Sequence, residues 1–261
     1  MAATLQRVLV IMPARNEAGR VGAVIAAARA VLPGADIAVI NDGSTDATAQ
    51  EAAAAGAVIL PHAVSLGYGA GLETGYLHAM RQGYDAVLQM DSDGQHLASE
   101  LPKLCAPLAA DAADIVLGSR YLAGGRFPIS PLRRLGQRFF ALLLRVLTGQ
   151  RFTDPTSGFQ GLNRRALRFF ASGVFPCDYP DADVLLMAHL AGLRIREVPV
   201  RMAGRTGGAS MHAGWRPLYY GMKMLLSLFI VLLNIHIWWT WRRRHAAAGG
   251  SGGTSACSGD N

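Results

Sequence analysis

The chain has 261 residues, 51% of them hydrophobic and 16% charged, with a formal net charge of +7. That length fits one α/β domain with a short appendage, and the apolar fraction excludes a disordered chain. Residues 1–120 hold seven basic and twelve acidic side chains (net −5), and residues 121–261 hold eighteen and six (net +12), which excludes a uniformly basic surface built for nucleic acid. Cys105, Cys177 and Cys257 are too few and too scattered for a disulfide framework or zinc cluster, and suggest a reducing compartment.

In chain order, Arg7 to Met12 (RVLVIM) reads as a buried strand rather than a signal peptide. Ala18 to Val31 is Ala-rich at helical spacing. Ile37 to Ile40 is a second strand, and Ala47 to Ala55 a helix with Ser44 or Thr45 as its cap. Val58 to Leu60 is a third strand. A glycine-rich turn, Gly67 to Gly71, precedes a helix over Leu72 to Arg81. Ala86 to Met90 and Ile115 to Leu117 are the fourth and fifth strands. Strands alternating with helices predict βαβ units and a mostly parallel, Rossmann-like sheet with flanking helices. Ligands of such sheets sit beyond the carboxyl ends of the strands.

The second half is read as an amphipathic helix over Leu132 to Leu147, a helix over Asp183 to Ala191 and a strand over Arg194 to Val200. Met224 to Trp241 is an 18-residue run without a formal charge. As a helix it is about 27 Å long at about 1.5 Å per residue. That is marginal against a hydrocarbon core of about 30 Å. Trp238, Trp239 and Trp241 form an interfacial belt, followed by Arg242, Arg243 and Arg244. Both flanks are basic, so the segment is expected to lie in or dip into the cytosolic leaflet, with a single span as the open alternative. The expected organisation is a catalytic domain over 1–215, a membrane-associated helix over 216–245 and a loose tail over 246–261.

The chemistry lies after strands. Asp91-Ser92-Asp93 follows the fourth strand, and two carboxylates at that spacing can share a divalent cation that neutralises a diphosphate, with Gln95 as a neutral ligand. Asp42, in Asn41-Asp42-Gly43-Ser44, can accept hydrogen bonds from a base or ribose. Pro13-Ala14-Arg15-Asn16-Glu17 puts a polar cluster on the same sheet edge. Gly67-Tyr68-Gly69-Ala70-Gly71 lacks the G-x-G-x-x-G spacing of a dinucleotide fingerprint and reads as a flexible turn.

Seven segments in order, VIMPARNEA, VINDGSTDAT, LGYGAGLETGYLHA, LQMDSDGQH, DIVLGSRY, DPTSGFQGLNRRAL and LRIREVPV, resemble the family 2 glycosyltransferases of GT-A fold, among them the dolichyl-phosphate mannosyltransferase-like and polyprenyl-phosphate enzymes. The resemblance covers roughly residues 7–212. It implies that Pro13, Arg15, Glu17, Asp42, Asp91, Ser92, Arg120 and Arg205 meet the donor. It implies Mg²⁺ or Mn²⁺ on Asp91, Asp93 and Gln95, an acceptor near Arg134 and Ser157, and catalytic roles for Asp93 and for Asp181 or Asp183 as base. The implied activity is inverting transfer of a sugar from a nucleotide-diphosphate sugar to a polyprenyl phosphate at the cytosolic membrane face. Transfer to a sugar hydroxyl of a lipid-linked or cell-envelope glycan stays open, as does a non-enzymatic nucleotide-sugar-binding membrane protein. Nucleic acid is not an expected partner. Three positions depart from the family pattern. Arg15 replaces an aromatic, Asn41 replaces an Asp, and Met211 stands where lipid-phosphate enzymes often carry Lys.

Overall fold

The computed structural model describes residues 5–122, 131–173, 175–176, 181–204 and 216–246. In chain order the elements are β1 (Val8–Ala14), α1 (Val21–Val31), β2 (Asp36–Asp42), α2 (Thr48–Ala54), β3 (Val58–His62), α3 (Tyr68–Gln82) and β4 (Ala86–Gln89). A 3₁₀ turn (Ala98–Glu100) leads into α4 (Leu101–Ala109) and β5 (Ile115–Ser119). Then come α5 (Pro131–Thr148), β6 (Gln160–Asn163), α6 (Arg164–Phe170), α7 (Ala182–Leu190), β7 (Ile195–Pro199), α8 (Arg216–Leu233) and α9 (Ile235–Ala246).

The strands form one sheet in the order β3-β2-β1-β4-β6-β5-β7. All run parallel except β6, which pairs antiparallel with β4 and β5. The sheet is therefore mixed. The four residues of β6 carry no alternation long enough to announce a strand, and sequence reading passed over them. Asn163 ends β6 and caps α6, its Oδ1 accepting from the N–H groups of Arg165 and Ala166 at 3.0 Å each.

Both faces of the sheet are covered, which is why its central strands are continuous apolar runs. In β1, Leu9 and Ile11 point into one core with α3, α6, α7 and α8, while Val10 and Met12 point into the other with α1 and α4. All four are fully buried, worth about 1.5–3 kcal/mol each relative to exposure. Gly75 lets α3 lie close on the sheet, since a Cβ there would stand 3.0 Å from Ile11 Cδ1 and 3.2 Å from Ile40 Cδ1.

Three expectations are corrected. Gly67–Gly71 is not a free turn, because α3 already starts at Tyr68. Neither Ser44 nor Thr45 caps α2. The Asp46 carboxylate takes the Thr48 N–H at 3.0 Å, while Ser44 and Thr45 bond to Asn16 across the loop. Finally, the apolar run over 224–241 is not one helix. It breaks at Asn234, whose Nδ2 donates to the Ile230 carbonyl at 2.9 Å, and the two arms meet at 57°.

That bend turns the tryptophans inward. Trp238 is buried, its Nε1 donating to the Val231 carbonyl at 2.9 Å across the break. Trp238 and Trp241 pack edge-on to Phe169, with ring centroids 5.9 and 4.8 Å apart. Only Trp239 of the expected belt is exposed. No single helix among the described residues is long and apolar enough to cross a membrane. The 246–261 tail lies almost wholly outside the described residues.

Candidate active site

The order of the strands reverses at β1, which has β2 on one side and β4 on the other. The crevice beyond the carboxyl ends of β1 and β4 is the place where such sheets bind ligands. The two ends are tied together, since the buried Ser92 hydroxyl donates to the Pro13 carbonyl at 2.8 Å. Ser92 and Pro13 thus shape the floor of the crevice, with the Ser92 side chain committed to backbone.

Asp91 and Asp93 flank that serine. The Asp91 side chain is 31% exposed, and its Oδ1 accepts from the Tyr68 hydroxyl at 2.9 Å. The Asp91 N–H donates to His96 Nδ1 at 2.9 Å, which assigns the ring proton to Nε2, 3.6 Å from Asp91 Oδ2. Asp93 accepts from the Gln95 N–H at 2.9 Å and from the Gln95 side-chain amide. Gln95 therefore stands beside the carboxylates, its amide nitrogen holding Asp93. The loop is pinned from outside by a bridge between His96 and Met202, and by the Ala203 N–H, which donates to the Gln95 carbonyl at 2.8 Å. Arg205 lies outside the described residues. Among the described residues no group of three or more His, Cys, Asp or Glu side chains converges on one point.

Behind Asp91 lies a polar chain that sequence reading missed. Gln89 donates to the Tyr68 hydroxyl at 3.1 Å and accepts from Tyr76 at 2.7 Å. Burial, reinforced by the negative charge of Asp91, pushes the Tyr68 hydroxyl well above the usual tyrosine range, so it remains a donor. The signal was present in the sequence, in a glutamine inside a wholly apolar strand (AVLQM) and tyrosines eight residues apart on one helix.

Asp42 does not face the crevice with free oxygens. Its Oδ1 accepts from His62 Nδ1 and the Leu66 N–H, both at 2.8 Å, and its Oδ2 from the Ser65 hydroxyl at 2.7 Å and the Gly67 N–H at 3.1 Å. Burial alone would raise its pKa, but these donors, His62 foremost, hold it below the usual carboxylate value. Two donors on each oxygen fill its lone pairs. Asp42 locks the loop that leads into α3, with both oxygens engaged by protein donors. Arg15 is exposed at the end of β1. Asn16 takes a left-handed φ of 56°, and its Oδ1 accepts from the Thr45 N–H at 2.9 Å. The Glu17 N–H bonds to Thr48 Oγ1 at 2.8 Å, and its carboxylate pairs with Arg20 at 3.0 Å. The PARNE and NDGSTD loops are thereby zipped into one wall.

On the far side of the sheet, Arg120 directly follows β5 and grips the fully buried Asp154, with Nε and one terminal nitrogen each at 2.7 Å. Burial opposes the guanidinium charge, yet Asp154, with a smaller contribution from Asp181, keeps Arg120 above the usual arginine range. Asp181 thus lies within electrostatic reach of Arg120 at the start of α7. Ser157 is buried, its hydroxyl donating to the Gly118 carbonyl at 2.6 Å and helping to build the turn. Arg134 is exposed on α5. One turn along, Gln137 donates to Thr156 at 3.2 Å and ties α5 to the DPTSGF loop. Asp183 is buried. Its Oδ1 accepts from the N–H groups of Asp181 and Val184, and its Oδ2 from the Ser227 hydroxyl of α8. It fastens α8 to α7, and of the two expected bases Asp181 has the more open position.

The chain is similar to known proteins over these same elements. A model of "Glycosyl transferase family 2" matches residues 9–170. An undecaprenyl-phosphate mannosyltransferase of Micrococcus luteus is 30% identical over 216 residues, 80% of this chain and 88% of that protein. A polyprenol monophosphomannose synthase of Mycolicibacterium smegmatis is 34% identical over 218 residues, 80% of this chain and 82% of that protein. Among solved structures, the glucosyl-3-phosphoglycerate synthase of Mycobacterium tuberculosis, in complex with Mn²⁺, UDP and glucosyl-3-phosphoglycerate, superposes with a TM-score of 0.65 at 22% identity. That match covers 88% of this chain and 80% of that one, and shows the GT-A fold. With more than half of its length matched, from β1 through α6, the chain belongs to glycosyl transferase family 2.

Proposed function

We propose that the protein transfers a sugar from a nucleoside diphosphate sugar to the phosphate of a polyprenyl lipid at the cytosolic membrane face. The observation that carries this reading is the pair Asp91 and Asp93 at the switch point of a family 2 fold whose relatives act on polyprenyl phosphates. Two carboxylates at a strand end suit a Mg²⁺- or Mn²⁺-class ion, which takes one or two carboxylates and fills its remaining positions with phosphate oxygens and water. Asp91 and Asp93 would hold it, with Gln95 beside them. When bound, such an ion neutralises the diphosphate and eases its departure.

The rest of the chemistry is positioning. A phosphate oxygen of the acceptor attacks the anomeric carbon opposite the departing diphosphate. One carbon–oxygen bond forms as the other breaks, and the configuration inverts. The acceptor is already an anion, so no side chain need remove a proton. Arg120, oriented by Asp154, together with Arg134 and Arg205, supplies positive charge for the phosphates. Asp183, bonded to Ser227, serves structure.

The membrane contact rests on α5 and α8. Leu135, Phe139, Leu142 and Val146 form an exposed stripe along α5, beside the exposed Arg134, Arg138 and Arg145. On α8 one face packs inward through Leu228 and Val231, while Leu225, Leu226, Phe229 and Ile230 are exposed. An apolar face rimmed by arginine suits a helix lying in the plane of an anionic leaflet. The domain organisation we propose is a catalytic body over 1–215 with 216–245 as its membrane seat.

The test is a screen of nucleotide sugars against polyprenyl phosphate with Mg²⁺ or Mn²⁺, read by mass spectrometry. A glycosylated lipid phosphate is expected, and it should vanish in Asp93→Ala. No product with any donor would refute the assignment.

A further inference from the structure

The GYGAG run at the start of α3 has no place in a transferase mechanism as a mere turn, yet its tyrosine reaches the carboxylate pair. Tyr68 Oη donates to Asp91 Oδ1 at 2.9 Å and accepts from Gln89 Nε2 at 3.1 Å. Gln89 is buried and held in turn by Tyr76. On the opposite side of Asp91 stands His96, buried and stacked on Phe159 with ring centroids 4.8 Å apart. Asp91 is thus held at Oδ1 by Tyr68 and at its backbone N–H by His96, whose Nε2 also lies 3.6 Å from Oδ2.

Gly158 explains how that hydroxyl is accommodated. A Cβ on Gly158 would stand 2.9 Å from Tyr68 Oη, and 3.7 Å from both Gln89 Nε2 and His96 Cε1. The backbone of Gly158 is not in the left-handed region. Space, not conformation, therefore requires glycine here.

We propose that Tyr68 is a positioning residue for Asp91, fixing Oδ1 and with it the orientation of the carboxylate that would hold the divalent cation, and that Gly158 is glycine because the Tyr68 hydroxyl needs its volume. The proposal rests on the cation reading above. It joins three motifs distant in sequence, GYGAG, DSDGQH and TSGF, into one device. Partners that orient a metal-binding side chain are commonly worth about 10- to 100-fold in metal affinity.

The test measures protein-bound Mn²⁺ by water-proton relaxation enhancement on the full chain, in the presence of GDP and, separately, of UDP. Tyr68→Phe keeps the ring and removes the hydroxyl, and it should weaken Mn²⁺ binding by about 10- to 100-fold. Gly158→Ala should weaken it similarly in the wild-type background. In the Tyr68→Phe background it should add little, because the atom it strikes is gone. Wild-type affinity in Tyr68→Phe, or full additivity of the two substitutions, would overturn the proposal while leaving the cation site standing. Failure of the wild-type chain to bind Mn²⁺ with either nucleotide would overturn the cation reading, and the proposal with it.

Discussion

Replacing Asp42 by alanine should unfold the approach to α3 rather than empty the donor site. Four donors lose their acceptor. Ser65 and Leu66 are exposed and regain water, so their loss costs little. His62 is different. Its side chain is 7% exposed, and after the change only Nε2 keeps a partner, Thr74 Oγ1 at 2.9 Å. A hydrogen bond to a charged group is worth about 1.5–3 kcal/mol, and a partly buried N–H such as that of Gly67 adds about 1 kcal/mol when left unpaired. The total is about 3 kcal/mol, or about 6–12 °C in Tm for a domain of this size. The pH dependence follows from the depressed carboxylate. Its stabilisation is fully present above the unfolded-state value of about 3.9 and is lost as pH falls through the lower folded-state value. Asp42→Ala should therefore narrow the stability gap between pH 7 and pH 3. Thermal unfolding followed by circular dichroism at both values, with calorimetry of GDP and UDP binding at low temperature, reads both effects. An unchanged Tm with nucleotide affinity reduced more than tenfold would refute this reasoning and return Asp42 to the donor.

Three further outcomes follow from the same structure. Asp181→Asn should leave kcat on a polyprenyl phosphate within about threefold, because an anionic acceptor needs no base; a loss of a hundredfold would place a hydroxyl at the acceptor position. Leu142→Glu with Val146→Glu puts two charges on the exposed stripe of α5, and should release the protein from anionic vesicles in co-sedimentation without changing Tm by more than about 2 °C. Asp114 is buried and gripped by Arg194, Arg165 and Asn163, which outweigh its burial and lower its pKa. Asp114→Asn should cost about 3 kcal/mol at pH 7. The penalty should begin to shrink as pH falls below the unfolded-state value of about 3.9 and go on shrinking through the lower folded-state value, and urea titrations at pH 7 and 3.5 compare the two.

The parallel half of the sheet was legible because its strands are short apolar runs that end at polar motifs, as RVLVIM ends at PARNE and AVLQM at DSD. Position alone then selects Asp91 and Asp93. What sequence could not convey is which polar side chains are consumed by the fold. Asp42, Ser157 and Asp183 belong to motifs that look functional, yet each is buried and bonded to a partner twenty or more residues away. Local spacing carries no trace of such pairings. The same holds for Tyr68, whose role depends on Gly158 ninety residues later. The bend at Asn234 was hidden for another reason. Hydropathy reports the apolar content of a segment and carries no trace of the break at Asn234 or of the packing of Trp238 and Trp241 on Phe169.

The most direct measurement sets two acceptors side by side, a polyprenyl phosphate and the matching polyprenol, with a panel of nucleotide sugars and Mg²⁺ or Mn²⁺. Mass spectra of the lipid fraction and the anomeric configuration of any product are recorded. The account predicts a single sugar added to the lipid phosphate with inverted configuration, none on the polyprenol, and loss of product in Asp91→Ala. Transfer to the alcohol, retention of configuration, or product undiminished in Asp91→Ala would contradict it.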